Sequence, residues 1–255
     1  LKPSRNSGSR GIAKVPYNIK GEEFKALFER AKAESRDNSV MLEQFIEGPE
    51  FSVEVIVWQG EPHVLAVTDK KTTEAPYFVE LGHNQPSTYP LDVQLKLMNG
   101  AVTGCKALGL TNCAAHCELK YQNGEAYLME IGARMGGDFI STELTHLSSG
   151  IDMVAATIDV VLGVVPNLQP TEAKQGVCIR YFTPKPGRLK EITGTDIFKT
   201  PHVYDADIYH EVGEEIPEVK SSLDRSGHVI VTDNNVVSAI KRAEEIVKSV
   251  EFVTE

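Results

Sequence analysis

Residues 114–138 read AAHCELKYQNGEAYLMEIGARMGGD, two strand-like runs around the turn QNG. This pattern predicts a β-hairpin. Because strand side chains alternate between faces, the turn decides whether Glu118 and Glu130 meet. A three-residue loop sets them opposite each other, whereas a two-residue Asn-Gly turn sets Glu118 against Met129 and separates the glutamates.

If the two glutamates face each other, their Cβ atoms lie about 5 Å apart and the carboxylates repel unless a cation lies between them. Carboxylate oxygens suit Mg²⁺, which usually keeps waters and phosphate oxygens among its ligands. The alternative is that one glutamate pairs with Lys120 or Arg134 on a solvated face. The Gly-rich loop after Arg134 favours the phosphate site.

The first twelve residues, LKPSRNSGSRGI, contain a second Gly-rich loop at 4–11. Small residues let backbone N–H groups approach an anion, and Lys2 and Arg10 add positive charge. The loop has neither the Lys-Ser or Lys-Thr of a P-loop nor a G-x-G-x-x-G pattern. A phosphate-binding loop and a plain surface loop therefore both remain open.

Periodicity and turn residues outline the remaining elements. They predict helices over 21–36, 91–108, 141–163 and 234–250. They predict strands over 40–46, 51–58, 63–69, 176–182, 202–209 and 227–233, a loop over 81–90 and an interlobe boundary over 165–175. In the run MLEQFIEGPEF, Glu47 and Glu50 are expected to be in solvent.

Composition limits the class of protein. The 26 basic and 36 acidic residues give a net charge of -10, which opposes binding to nucleic acid or anionic membranes. No apolar run approaches the roughly 20 residues that span a bilayer. The four cysteines form no CxxC pair, as expected for reduced thiols. These features predict a cytoplasmic protein that acts on small molecules.

Together, three motifs resemble the ATP-grasp superfamily of carboxylate ligases. LKPSRNSGSRGI resembles its Lys-Pro strand end and phosphate-covering loop, LEQFIEGPEFSVEVIV its nucleoside segment, and the 114–138 hairpin its metal-binding strands. The resemblance implies an α+β ATP-grasp fold, with antiparallel sheets, flanking helices and a small C-terminal α+β lobe. It implies a small-lobe remainder over 1–45, a large lobe over 46–165 and the C-terminal lobe over 166–255.

The resemblance also implies that ATP is bound. Lys2 would contact its phosphates, and Ser9 and Gly11 would belong to the covering loop. Glu43 and the backbone near Phe45 would receive the nucleoside.

For metal and substrate, the resemblance implies that Glu118 and Glu130 hold Mg²⁺ or Mn²⁺. Arg134 would stabilise the transferred phosphoryl group, and His83 and Gly137 would face the acceptor pocket. Many family members carry Asn two positions after the second glutamate, as a further ligand. This chain has Gly132 there, so we expect water to complete the metal shell.

The implied activity is an ADP-forming ligation in which an amine attacks an acyl phosphate, with amino acids as substrates. A purine-pathway or carbamoyl-phosphate-type ligase and a non-catalytic nucleotide-binding module are the alternatives. In this superfamily an upstream domain precedes the Lys-Pro motif. We therefore expect turnover to need that domain, with the domain itself or a second copy of the chain as the expected protein partner.

Overall fold

The computed structural model describes residues 1–171 and 174–255, so the predicted boundary over 165–175 includes two positions outside the described residues. The strands are β1 (Lys2–Pro3), β2 (Val40–Met41), β3 (Glu50–Trp58), β4 (Glu61–Thr72), β5 (Glu80–Gln85), β6 (Cys113–Gln122), β7 (Glu125–Gly132), β8 (Gly176–Tyr181), β9 (Gly187–Thr193), β10 (Val203–Ile208), β11 (Glu215–Ile216), β12 (Gly227–Asp233) and β13 (Glu251–Thr254). The α-helices are α1 (Gly21–Glu34), α2 (Leu91–Ala107), α3 (Thr145–Ser149), α4 (Met153–Val161) and α5 (Val236–Ser249). A π-helical turn (Ile140–Leu144) precedes α3, and 3₁₀ turns cover Thr195–Lys199 and Ser222–Asp224.

One eight-stranded sheet, in the order β10-β12-β8-β5-β4-β3-β6-β7, organises the chain. Each neighbouring pair in it is antiparallel. Smaller sheets are formed by β11-β9-β13 and by β1-β2. The prediction of an α+β fold built on antiparallel sheets with flanking helices is confirmed. The large sheet is continuous across 165–166 because β5 pairs with β8, and the division into lobes at that point stays a prediction.

Helices cover both faces of the large sheet. The buried Leu97 of α2 packs with Phe51 of β3, and Met153 of α4 packs with Ile56 of the same strand. Residues 51 and 56 point to opposite faces because strand side chains alternate. At the other end, α5 packs on β8 and β12. Among the described residues, no helix has the length and apolar character needed to cross a bilayer.

Two predicted elements differ from the structure. The strand predicted over 40–46 ends at Met41, and residues 43–47 form no main-chain hydrogen bond with other main chain in the described part of the protein. The helix predicted over 141–163 is interrupted at Gly150, whose φ of 75° ends α3 in the left-handed conformation that glycine favours.

The loop predicted over 81–90 is wrong over its first half, which forms β5. Prolines and polar residues indicated a loop, but β5 is held between β4 and β8. Gly82 permits this close pairing: a Cβ atom there would lie 2.4 Å from the carbonyl oxygen of Ile179. Tertiary pairing therefore outweighs the weak local β propensity of these residues.

Candidate active site

The hairpin of β6 and β7 places Glu118 directly opposite Glu130. Its turn is the two-residue Asn123-Gly124, with φ values of 52° and 84° that match a type I′ turn. The sequence argument that such a turn separates the glutamates is therefore wrong.

A β-bulge explains the difference. From the turn the strands stay in register as far as Leu119, which lies opposite Leu128. The register then shifts by one residue, so that Met129 is the extra residue and Glu118 lies opposite Glu130. Because side chains alternate along a strand, one inserted residue moves the side chains that follow it to the opposite face.

The hairpin forms one wall of a cavity of about 330 Å³. Six of the ten predicted site residues line it: Lys2, Ser9, Glu43, Phe45, Glu118 and Glu130. The other four, Gly11, His83, Arg134 and Gly137, lie outside this lining. A Cβ atom on Gly11 would come within 2.9 Å of Pro3 and Glu34, so this glycine permits the loop to pack on its neighbours.

At one end of the cavity, Lys2 forms an ion pair with Glu43 at 2.8 Å and donates to the carbonyl of Met129 at 3.3 Å. The ring of Phe45 lies 5.9 Å from that of Phe78. The Lys14 ammonium lies 4.1 Å from the centroid of the Phe45 ring. Beside these groups, the main chain of 43–47 keeps its polar groups available to a ligand.

Sequence reasoning missed a buried lysine behind the metal-type carboxylates. The ammonium of Lys70 lies 2.7 Å from Glu50, 3.2 Å from Glu118 and 3.6 Å from Glu80. Burial opposes its charge, but these three carboxylates outweigh that effect and raise the pKa of Lys70 well above its usual value. The prediction that Glu50 lies in solvent is therefore wrong. The available signal was a charged residue at the end of an apolar strand.

A second network contacts Glu118 through His116, which lies two residues earlier on the same face of β6. The ring of His116 lies 2.6 Å from Glu54 through Nδ1 and 3.2 Å from Glu118 through Nε2. Burial opposes its charge, yet Glu54 and Glu118 raise the pKa of His116 to about 9. Lys70 and His116 together hold the pKa of Glu118 well below its usual range. Glu118 is therefore ionised at neutral pH.

The donor set suits Mg²⁺ bound together with a phosphate. Lys70 and His116 both contact Oε1 of Glu118, and Glu130 is exposed with no ion pair among the described residues. Within residues 1–171 and 174–255, no cluster of three or more His, Cys, Asp or Glu side chains is arranged to hold a metal. Two carboxylates with waters and phosphate oxygens form a usual Mg²⁺ environment.

The predicted catalytic and acceptor residues lie beyond the hairpin. Arg134 is exposed, and its guanidinium donates to the carbonyl of Met135 at 2.9 Å. Gly137 is exposed in the same loop. His83 is buried in β5, where Nε2 lies 3.4 Å from Asp138 and burial lowers the pKa of the imidazole. It is neither a loop residue nor a surface histidine.

A hairpin with two opposed carboxylates thus faces the irregular segment 43–47 across a cavity, the arrangement that the resemblance to the ATP-grasp superfamily implies. The crystal structure of L-amino acid ligase from Bacillus licheniformis shares the fold with a TM-score of 0.74 and 22% identity, covering 84% of this chain and 56% of that one. The ATP-grasp domain family matches residues 1–143, more than half of the chain. The chain belongs to the ATP-grasp family, as the sequence motifs predicted.

Sequence relatives include a synthase and an amino-acid ligase. The chain is 29% identical over 153 residues to carnosine synthase 1 from Gallus gallus, covering 59% of this chain and 16% of that protein. It is 29% identical over 182 residues to alanine–anticapsin ligase from Bacillus subtilis, covering 63% and 38%. The chain thus spans well under half the length of either relative. Residues 180–255 match L-amino acid ligase C-terminal domain 2.

Proposed function

We propose that the protein is an ATP-dependent carboxylate–amine ligase that joins an amino acid to an amine. This proposal rests on Glu118 and Glu130, which lie opposite each other on the wall of the cavity that Lys2 and Phe45 also line. In the reaction, a substrate carboxylate attacks the γ-phosphorus of ATP and ADP leaves. The amine then attacks the acyl carbon, phosphate leaves and the amine loses a proton.

The cavity residues fit the first step. The irregular main chain near Phe45 would bind the nucleoside, and Lys2 would exchange Glu43 for a phosphate. Glu118 and Glu130 would hold Mg²⁺ or Mn²⁺, which offsets phosphate charge during transfer. Lys70 offsets the carboxylates that surround it. Fixed charges of this kind need no rearrangement during transfer.

For the second step, Arg134 would stabilise the transferred phosphoryl group, and His83 and Gly137 would lie toward the acceptor. The match of residues 180–255 to an L-amino acid ligase domain supports amino acids as substrates. A purine-pathway or carbamoyl-phosphate-type reaction would use the same ATP site with another acid or amine. A non-catalytic nucleotide-binding module is favoured by one observation: Gly132, opposite His116, offers no further metal ligand.

The proposal is tested by phosphate release from ATP and mass spectrometry of the products. The full-length protein is given amino-acid pairs, bicarbonate with ammonia, or phosphoribosylamine with glycine. We expect ADP, phosphate and a new amide only with amino-acid pairs, and a fall in kcat of at least tenfold in Glu130→Gln, since even residues behind metal ligands contribute about that much. Glu125→Gln, on the same strand near the turn, is the control.

Product from bicarbonate or phosphoribosylamine would contradict amino-acid ligation. ATP binding without product from any pair would favour the non-catalytic module. A cytoplasmic location and a protein partner, either the upstream domain or a second copy, are also proposed. Cell fractionation tests the location, and light scattering of the full-length protein tests the association of copies.

A further inference from the structure

The loop that follows β7, residues 135–139 ("the Gly-rich loop"), has an unusual backbone. Asp138 and Phe139 have φ values of 54° and 61°, two successive non-glycine residues in the left-handed region. Such residues persist where surrounding contacts determine them. The contacts that hold these two residues therefore identify what fixes the loop.

The first half of the Gly-rich loop is fixed by the network in which His116 contacts Glu54 and Glu118. The backbone N–H of Gly136 donates to Oγ of Ser141 at 2.7 Å, and this hydroxyl donates to Glu54 at 2.9 Å. A Cβ atom on Gly136 would lie 2.6 Å from the ring of His116. This end of the loop thus rests on the same network that supports Glu118.

The second half is fixed by residues that follow the predicted boundary over 165–175. Arg225 donates two hydrogen bonds to the carboxylate of Asp138, at 2.7 Å from Nη1 and 2.8 Å from Nη2. The ring of Phe139 lies 4.5 Å from that of His228. A bidentate pair fixes orientation as well as distance.

Arg225 is itself held in place. Its guanidinium carbon lies 3.6 Å from the centroid of the Tyr181 ring, and its Nε donates to the carbonyl of Ser222 at 2.7 Å. The hydroxyl of Ser222 donates to Glu80, a residue of the cavity wall, at 2.5 Å. The arginine side chain is nearly buried. Its contacts with Tyr181, Ser222 and Asp138 therefore define its position.

By contrast, Arg134 forms no ion pair within the described part of the chain, and its hydrogen bond goes to the adjacent Met135. Its placement therefore depends on the loop that follows it. We propose that Arg225 is a positioning residue for the ligation: through Asp138 it fixes the Gly-rich loop and so the direction of Arg134. The inference rests on the proposed function in assigning Arg134 to the reaction.

The first readout is independent of activity. Hydrogen exchange of a peptide covering 135–140 is compared in Arg225→Lys, Asp138→Asn and the unaltered full-length protein. We expect exchange to be faster by roughly tenfold in both variants, since each loses a charged bidentate pair. Arg242→Lys is the matched control. Arg242 pairs with Asp233 at 2.5 Å, and this pair lies away from the loop.

The second readout is steady-state kinetics with the best amino-acid pair. We expect kcat to fall on the order of ten- to a hundredfold in Arg225→Lys and Asp138→Asn, with KM for ATP near that of Arg242→Lys. The double variant should be no slower than the worse single variant, because both remove one interaction.

Unchanged exchange, or faster exchange with unchanged kcat, would overturn the role of Arg225. No ligation by the unaltered protein would instead contradict the proposed function. In that case, unchanged exchange still overturns the positioning proposal and faster exchange supports its structural half.

Discussion

A single buried lysine pairs with three carboxylates of the cavity wall. Lys70 lies within 3.6 Å of three carboxylates, and its side chain is 2% exposed. Without it, Glu50 and Glu80 have no ion-pair partner among the described residues, and Glu118 keeps only His116. Removing one partner from a buried charge cluster is more costly than removing a surface pair.

We therefore predict that Lys70→Met lowers the free energy of unfolding by about 3 kcal/mol. The adjacent Lys71 pairs with Glu244 at 2.9 Å but is half exposed, so Lys71→Met should cost less than about 1 kcal/mol. Urea denaturation of both variants without metal gives the two values. Equal losses would show that the Lys70 cluster has no special weight.

Asp138 supplies a prediction for pH. Burial opposes its charge, but Arg225 and His83 outweigh that effect and lower the pKa of the carboxyl well below its usual value. A lowered pKa stabilises the fold above the unfolded value near 4, and this stabilisation is lost as pH falls through the folded value. Asp138→Asn should therefore lose about 2 kcal/mol at pH 6.

That loss should shrink as pH falls below about 4, because Asp138 of the unfolded chain then binds a proton while the folded carboxyl stays ionised. Denaturation curves of both proteins at several pH values measure the difference. A difference that stays constant with pH would contradict the ion-pair explanation.

Residue patterns identified Glu118 and Glu130 as candidates but left their opposition open, and they missed Lys70 and Glu50. Strand alternation and turn chemistry are local, so they placed Glu118 and Glu130 on candidate strands. Lys70 reaches Glu118 across β3, which lies between β4 and β6. Such a contact depends on strand order, which local periodicity does not contain.

Two strand features decide the geometry of the site. The Asn123-Gly124 turn was readable from the sequence, but the bulge at Met129 was not, since its residues carry no distinctive signal. The extra residue changes which carboxylates meet. Likewise, β5 was missed because its residues become a strand through pairing on both sides.

The pairing of β5 with β8 gives a prediction for Gly82. An added methyl group would meet the carbonyl of Ile179 at 2.4 Å, so Gly82→Ala should destabilise the fold by about 1–3 kcal/mol through overpacking. Gly21, at the start of α1, has no atom within 4 Å of a Cβ position. Gly21→Ala should be neutral or slightly stabilising in the same denaturation assay. Similar losses in both would contradict the close-approach argument.

Across the whole molecule, three motifs in order were enough to predict the fold class and family. The relation between the two ends of the chain was not predictable, because β8, β12 and β10 extend the same sheet that carries the hairpin. This continuity lets Arg225 contact the loop after β7. The cavity beside the hairpin and the C-terminal residues thus belong to one connected structure.

Glu118 and Glu130 are proposed to form a metal-dependent ATP site. Calorimetric titration of the full-length protein with ATP, with and without Mg²⁺, tests it most directly when the Glu118→Gln/Glu130→Gln variant is measured alongside. We predict binding that requires Mg²⁺ and is lost in the variant, while the variant keeps the melting temperature of Glu125→Gln to within a few degrees. Equal ATP affinity with and without Mg²⁺, or undiminished Mg²⁺-dependent binding by the variant, would contradict the claim.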